Sequence, residues 1–413
     1  MNLKLFHKIM DHMKERNWNI TQLARNSSIH LTEISRILNH KQTLSLRNLD
    51  AITSGLNLIE GTLYSDYIEE CFNENRILDK RRSMEFLYKC ASFGYLDQLT
   101  IIFNKVLDES QKAILKKNLN TIFLVAEKLF EENKEWEALP LYECIIESMS
   151  DHNSIQLAKS YYRKYRIVRT TKQGREAEVL VLRYLTKLTK EFQLSTYLWI
   201  MATCYLRQNW KMVMYYAKTL EKLSNEEDYY GRALLYQGFA LLRLGGSLDE
   251  VLCIIDRYSK VNEYYGELAE GNRFIAYLEF EQYEYVDEYL DWLEGREDMF
   301  VGLPRILEVY VKLGRFEDVE LLLNRYFHIF EEMAKSKEPF KQQMYLKFRY
   351  AHALYQCARN KVTEGIHEIL DVIKTAIELG IAKGYGKCLL MYWYYRHKIN
   401  SEHELKYLQI LSK

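Results

Sequence analysis

A short polar face near the N-terminus carries the side chains best suited to specific recognition. Over residues 30–39, Ile34, Ile37 and Leu38 recur at helical spacing and predict a buried side. The other side is polar and includes one arginine. Hydroxyl, amide and guanidinium groups can bond base edges, and one helix fits a DNA major groove about 12 Å wide. The pattern therefore predicts a recognition helix for duplex DNA, and the expected contacts are His30, Leu31, Thr32, Ser35, Arg36, Asn39 and the following Lys41.

Neighbouring elements are predicted to hold this helix in place. Apolar residues at helical spacing predict a first helix over about residues 3–16, and Asn19 is suited to cap a second helix. The small residues at 26–28 predict a tight turn between the second and third helices. The leucine-rich stretch at 46–58 predicts two further helices. We therefore expect a five-helix domain over residues 1–58, with Asn19 as an additional DNA contact.

Charge is distributed unevenly along the 413-residue chain, although the formal net charge is zero. Residues 1–58 contain eight Lys/Arg and four Asp/Glu, whereas the remainder contains 49 basic and 53 acidic residues. A basic head suits the phosphate backbone of DNA. Two alternatives stay open: the head could be a packing module without DNA contact, and Arg36 could bond either guanine or phosphate.

The rest of the chain predicts a nearly all-helical fold, because three prolines and 17 glycines are few for this length. One pattern recurs six times: a turn residue, two variable positions, an Ala or Val, and then an apolar helix. Leu139 and Glu178 take the fourth place in the first two instances. The intervals are 39, 35, 38, 35 and 33 residues. Such a period is typical of stacked helix pairs. The turn residues are Trp136, Arg175, Trp210, Leu248, Tyr283 and Phe316.

The remaining boundaries follow from these repeats. We expect a helical connector over 59–114, repeated pairs over 115–379 with a last pair at about 341–379, and C-terminal helices over 380–413. The C-terminal segment is rich in Leu and Tyr around Trp393. It is predicted either to be covered by a second copy of the chain or to cap the array internally.

The pattern L-A-R-x-S-x-I-x-x-x-x-I-S-R-I-L-x-x-K at residues 23–41 resembles the Cro/C1-type helix-turn-helix family. The resemblance covers about residues 3–58. Ile20 departs from it, since many members carry a polar, phosphate-contacting residue there. The six spaced turns resemble degenerate tetratricopeptide repeats, which implies a right-handed superhelix with an inner groove. In such repeats an Asn 11 residues before the turn residue bonds a peptide backbone.

Counting back 11 residues gives Gln237, Asn272 and Arg305, of which Asn272 matches the repeat family's residue type. Other positions implied to face inward are Arg243, Glu279, Glu308 and Lys312. We predict that these seven residues line a peptide-binding groove. The alternative for each one is an ordinary solvated helix face.

A Cro-type head joined to such repeats resembles the peptide-pheromone receptors of Gram-positive bacteria and their phages (the RRNPP family). Residues 60–110 are similar to the segment that follows the head in phage arbitrium receptors. The resemblance implies a cytoplasmic homodimer that binds a double-stranded DNA operator. It also implies that a short signalling peptide in the groove switches transcription, as in quorum sensing or the lysis–lysogeny decision.

Other classes of function find little support in the sequence. It contains no Walker, GxGxxG, HExxH or GxSxG motif, so we expect no enzyme, no cofactor and no metal site. The seven cysteines are isolated, which favours reduced thiols and a cytoplasmic protein without membrane spans. A second hypothesis is a repeat adaptor, or a defence or toxin–antitoxin regulator, that senses a protein partner.

Overall fold

The computed structural model describes residues 1–379 and 386–412. The described residues form α-helices joined by short turns, which confirms the all-α expectation. Extended structure within these residues is confined to one antiparallel bridge between Phe72 and Leu78. Residues 380–385, where the predicted boundary before the C-terminal helices falls, lie outside the described part of the chain.

The chain divides into two compact units, Met1–Thr189 and Lys190–Lys413. In the first unit, 3-10 turns at Ile68–Cys71 and Leu185–Lys187 supplement the α-helices. The helices of the first unit are α1 (Leu3–Glu15), α2 (Ile20–Asn26), α3 (Leu31–Leu38), α4 (Leu46–Gly55), α5 (Tyr64–Tyr67), α6 (Lys80–Phe93), α7 (Leu96–Leu107), α8 (Lys112–Glu131), α9 (Glu135–Ser148), α10 (Ile155–Val168) and α11 (Gly174–Tyr184).

The second unit continues the pattern of paired helices, with 3-10 turns at Tyr283–Tyr285 and Arg396–Lys398. Its described helices are α12 (Lys190–Leu206), α13 (Trp210–Leu223), α14 (Glu227–Arg243), α15 (Leu248–Tyr258), α16 (Glu263–Glu279), α17 (Val286–Leu293), α18 (Met299–Lys312), α19 (Phe316–Arg325), α20 (Phe327–Lys335), α21 (Pro339–Ala358), α22 (Val362–Glu378), α23 (Gly386–Tyr394) and α24 (Ser401–Leu411).

The N-terminal domain packs five helices around a common core, although residues 46–58 form one helix, α4, and not the two that were predicted. Leu5, Ile9, Leu23, Ile34 and Leu49 are all fully buried. Burying each such side chain stabilises the fold by roughly 1.5–3 kcal/mol. The fifth helix is α5, which lies beyond the boundary expected at residue 58.

Polar contacts join α5 and α6 to the N-terminal domain. The Tyr64 hydroxyl donates to Asp50 Oδ1 over 2.7 Å, and Lys89 Nζ on α6 lies 2.6 Å from the second oxygen of that carboxylate. On α5, the buried Asp66 pairs with Lys8 and, at 3.3 Å, with Lys4. These contacts place the start of the connector in one packed unit with the helix-turn-helix.

The predicted turn residues mark the starts of second helices along the chain. Trp136, Arg175, Trp210, Leu248 and Phe316 fall within the first two residues of α9, α11, α13, α15 and α19. Tyr283 opens the 3-10 turn that leads into α17. The period read from the sequence therefore corresponds to successive helix pairs from α8 to α19.

The last predicted pair is present as α21 and α22. Tyr350, Ala353, Ile366, Ile369 and Ile373 share one buried cluster between these two helices. The short helix α20 precedes this pair and was not predicted. Helix α21 also packs against α18 and α12, which lie far apart in sequence.

The division at 189/190 falls inside the predicted repeat segment 115–379. One reason is that the connector packs on the first repeat helices. Buried Asn118 on α8 accepts from the Leu78 backbone N–H over 2.8 Å and donates to the Arg76 carbonyl over 3.1 Å. Helix α6 packs against both α8 and α9. The first helix pairs therefore belong to the same compact unit as the head.

Candidate functional site

The junction of α2 and α3 is built by local capping and close packing. Asn19 and Gln22 form a reciprocal capping box, in which Asn19 Oδ1 accepts from the Gln22 N–H over 3.0 Å. Ser27 is buried in the turn, and Ser28 adopts a left-handed φ of 53°. A Cβ on Gly55 would lie 2.7 Å from the Ser27 backbone nitrogen, so only glycine lets α4 approach this turn.

Helix α3 buries one face and exposes the other. Ile34, Ile37 and Leu38 are buried, as predicted. His30 caps the helix by accepting from the Thr32 N–H, and Asn39 at its C-terminal end donates to the Ser35 carbonyl over 2.8 Å. These bonds fix both ends of the helix while its polar side chains remain on the outer face.

The Arg36 side chain lies exposed on α3 and makes no hydrogen bond or ion pair with any other described residue. Its guanidinium group therefore keeps all five donors for an outside partner. Ser35 is half-buried. The other predicted contacts are exposed, namely Asn19, His30, Leu31, Thr32, Asn39 and Lys41.

Glu33 holds the outer part of the domain together, a role that the sequence did not reveal. Its Oε1 accepts from Asn48 on α4 over 2.8 Å and from Gln42 in the loop over 3.1 Å. These bonds tie α3 to the segment that follows it. A polar residue in the first turn of a helix gives no sequence signal that separates this positioning role from a DNA contact.

The second unit contains a cavity of about 690 Å³. It lies among α12, α14, α16, α18 and α21, and Lys387 on α23 also reaches it. Ligand sites in proteins typically measure about 300–1,000 Å³. The cavity is therefore large enough for a small ligand or part of a short peptide.

Six of the seven predicted groove residues line this one cavity. They are Arg243, Asn272, Glu279, Arg305, Glu308 and Lys312. The seventh, Gln237, does not reach it. Its side chain is buried on another side of α14 and donates to Glu221 over 2.6 Å.

A one-residue difference in loop length explains the position of Gln237. Three residues separate Glu279 from Tyr283 and Lys312 from Phe316, whereas four separate Arg243 from Leu248. Counting back from the turn therefore shifts the register by one residue, or about 100° of helix rotation. The residue seven positions before the end of α14 is Tyr236, and it lines the cavity.

The cavity lining repeats from helix to helix once the register is counted from the helix ends. The last residue of each first helix and the residues four and seven positions earlier all face the cavity. This spacing follows one face of an α-helix. In the order α12, α14, α16 and α18, the residues seven positions before the end are Trp199, Tyr236, Asn272 and Arg305.

Charged side chains form two clusters in the cavity, in each of which two cations contact one carboxylate. Arg243 makes a bidentate contact with Glu279, and Arg305 Nε lies 3.5 Å from the same carboxylate. Glu308 lies 3.0 Å from Lys387 and 3.4 Å from Lys312. Burial opposes ionisation of Glu279, but the guanidinium groups of Arg243 and Arg305 prevail and lower its pKa to about 2.

This pKa predicts a pH-dependent contribution to stability. Folding lowers the pKa of the Glu279 carboxyl from its ordinary value of 4.5, so the carboxylate stabilises the folded protein at pH values above 4.5. This contribution is lost as the pH falls towards 2. In urea unfolding, Glu279→Gln should cost on the order of 3 kcal/mol at pH 7. The difference between wild type and variant should shrink below pH 4.5. A difference that stays constant down to pH 3 would contradict this assignment.

Sequence reasoning missed the side of the cavity formed by α21, because the repeat register does not extend to that helix. Phe340 and Lys347 on α21 both line it. Sequence reasoning also missed an aromatic wall, formed by Tyr205 on α12, Tyr236 and Phe239 on α14, and Phe340 on α21. The Tyr205 ring lies 5.5 Å from that of Tyr236 and 5.4 Å from that of Phe239, and 6.4 Å from that of Phe340.

The described residues of both units also bear on metal binding and on membrane insertion. No group of three or more His, Cys, Asp and Glu side chains there could hold a metal ion. No helix in the described ranges combines the length and the apolar character that crossing a membrane requires.

Comparison with known proteins bears on the N-terminal domain. Residues 8–67 match the Cro/C1-type HTH DNA-binding domain family. The matched range begins within α1 and ends with α5, so it covers the recognition helix and its supports. A search of curated proteins returns no match to the chain. The chain thus carries an N-terminal Cro/C1-type helix-turn-helix DNA-binding domain, which supports its assignment as a DNA-binding transcriptional regulator.

Proposed function

We propose that the protein is a transcriptional regulator whose DNA binding is switched by a short signalling peptide in the cavity of the second unit. The observation that carries the proposal is the convergence of six predicted groove residues on one cavity. Asn272 is among them, at the position where related repeats bind a peptide backbone. The proposed setting is a quorum-sensing or arbitrium-like receptor.

The concave shape and the volume of the cavity favour a small ligand over a folded protein partner. Stable protein–protein interfaces bury about 1,200–2,000 Å² of surface. The cavity is instead bounded on several sides by helices of one unit, and its volume of about 690 Å³ suits a compact molecule. This feature ranks the peptide-sensing proposal above the adaptor and defence-regulator alternatives.

The switch requires differential affinity. A ligand shifts a conformational equilibrium only if it binds one state better than the other. A shift from 1:99 to 99:1 needs about 5.5 kcal/mol of difference between the two affinities. Charged and amide side chains in a cavity can give such a difference in affinity if they form hydrogen bonds with the ligand in only one of the two conformational states.

We also propose that the protein acts as a homodimer through α23 and α24. Tyr392 on α23 and Tyr407 on α24 stack at 4.4 Å, and both helices pack on α22 at the C-terminal surface of the second unit. Large apolar side chains remain exposed on it. A cluster of this kind typically marks an interface. Its members are Leu389, Leu390, Trp393, Tyr394, Leu405 and Leu408.

The peptide part of the proposal predicts a specific effect of Asn272→Ala. Fluorescence anisotropy would follow an operator duplex, selected from a random-sequence pool, with and without the peptide fraction of spent culture medium. The wild-type affinity for DNA should change on addition of peptide. The variant should need roughly tenfold more peptide, because a lost ligand hydrogen bond costs about 1.5 kcal/mol.

Asn324→Ala is the matched control, because Asn324 is exposed on α19 and outside the cavity. It should respond as wild type does. If Asn272→Ala responds at the wild-type peptide concentration, Asn272 has no place in the site. If the wild type itself shows no response, the peptide switch is refuted.

A further inference from the structure

Among the described residues, more positive than negative side chains line the cavity of the second unit. Its carboxylates are Glu279, Glu308 and Glu338. Its cations are Arg232, Arg243, Arg305, Lys312, Lys347 and Lys387. A concave site with an excess of one charge attracts ligands of the opposite charge.

All but one of these cations already have an acidic partner. Glu279 forms ion pairs with Arg243 and Arg305, and Glu308 forms ion pairs with Lys312 and Lys387. Arg232 lies 3.0 Å from Asp228 on its own helix. The remaining cation is Lys347, on the middle of α21.

Lys347 has neither an ion pair nor a hydrogen bond to the side-chain amine within the described residues. Its surroundings disfavour the charged form. Burial, followed by the like charges of Arg305 and Arg243, holds the pKa of the Lys347 amine well below its usual range. A half-buried amine without a partner is costly to keep charged, and an anion placed beside it would relieve that cost.

The aromatic wall favours a ligand that also carries an apolar group. Tyr205, Phe239 and Phe340 present their rings to the same cavity. Such a wall buries a hydrocarbon or aromatic group favourably. The cavity thus offers an apolar surface and an unpaired amine to a single occupant.

We infer that the cavity recognises a ligand through a carboxylate bound by Lys347, with an apolar side chain packed on the aromatic wall. The inference rests on the proposed function in taking that ligand to be a short peptide. The carboxylate comes either from a free peptide C-terminus or from an acidic side chain. Both sources present the same pair of oxygens to the amine.

The test uses the full-length protein and three synthetic pools. The first is a random pentapeptide library with free C-termini, the second is the same library as C-terminal amides, and the third holds aromatic carboxylic acids with their primary amides. Each pool is incubated with protein, the complex is isolated by rapid gel filtration, and the retained compounds are identified by mass spectrometry. Wild type is compared with Lys347→Met and with Lys361→Met, a control exposed between α21 and α22.

Wild type and Lys361→Met should retain carboxylate-bearing compounds. Lys347→Met should retain at least about 30-fold less, because removing one member of a buried charge pair has an effect of that size. A C-terminal source is indicated if the amidated library is not retained. A side-chain source is indicated if amidated peptides rich in Asp or Glu are retained. Circular dichroism verifies that the variants fold.

Two outcomes separate the inference from the proposed function. Retention of peptides without any carboxylate, at equal levels by wild type and Lys347→Met, overturns the inference and leaves peptide binding in place. Retention of the aromatic acids over their amides, with no peptide retained, supports the carboxylate site and contradicts a peptide ligand. Retention of nothing from any pool overturns both.

Discussion

Arg36→Ala should lower the affinity for a selected operator by about 5- to 150-fold per DNA-binding head while the domain stays folded. The expected loss corresponds to one bidentate arginine–guanine contact, worth about 1–3 kcal/mol. The fold should persist because the side chain is exposed and makes no hydrogen bond or ion pair with other described residues. Fluorescence anisotropy at fixed salt measures the affinity, and thermal unfolding measures the stability.

Lys14→Ala is the control for the lost charge. Lys14 is exposed near the end of α1, where it pairs with Asp11 at 3.7 Å. The Lys14→Ala variant removes the same unit of positive charge from the head, and its effect on DNA affinity should be small. An unchanged affinity in Arg36→Ala would exclude α3 as the recognition helix. An equal loss on all DNA sequences would reassign Arg36 to a phosphate contact.

The double variant Leu390→Glu/Trp393→Glu should convert the protein from dimer to monomer and weaken operator binding by about 100-fold or more. Both side chains are more than 60% exposed, at 71% and 64%, so the change should leave the core intact. Two carboxylates in an apolar interface must be desolvated for the copies to meet. The loss of DNA affinity follows because two linked heads bind about 10²–10⁴-fold better than one.

Analytical ultracentrifugation measures the oligomeric state in this experiment, and anisotropy measures the affinity. Leu321→Glu is the control, since Leu321 is 67% exposed on α19, away from the C-terminal helices. It should leave both quantities at the wild-type level. A double variant that remains a dimer contradicts the proposed interface. A wild type that is monomeric at the working concentration contradicts the homodimer itself.

The N-terminal domain could be predicted because short-range rules determine it. Asn19 precedes the second helix as its cap, and the buried positions of α3 follow the helical period. The role of Gly55 could not be predicted in the same way. Glycine is required at position 55 because the Ser27 backbone approaches it closely. Ser27 lies 28 positions earlier in the chain, so no local sequence pattern connects the two residues.

The cavity was predicted in part, for a related reason. A fixed period placed Asn272 and Arg305 among the residues that line the cavity, because three residues separate the end of each helix from the next turn residue. It failed at Gln237, where the loop before Leu248 has one additional residue. Position on a helix changes by about 100° per residue, so a single insertion is enough to move a side chain from the cavity to another face.

Helix α21 shows a second limit of repeat reasoning. Its packing on α18 belongs to the succession of helices, but its contact with α12 joins segments about 140 residues apart. Lys347 enters the cavity only because of this long-range packing. Nothing in the local sequence of α21 distinguishes this lysine from an exposed one. The residue on which the carboxylate inference rests was therefore not predicted from the sequence.

The most direct test of the regulator assignment is a hydroxyl-radical footprint of the wild-type protein on its selected duplex, recorded with and without the retained peptide. Dimeric helix-turn-helix proteins protect two inverted half-sites separated by whole turns of the double helix. We expect such a pseudo-palindromic footprint in one condition and its loss or displacement in the other. Uniform protection that does not depend on sequence, and is unchanged by peptide, would contradict the account.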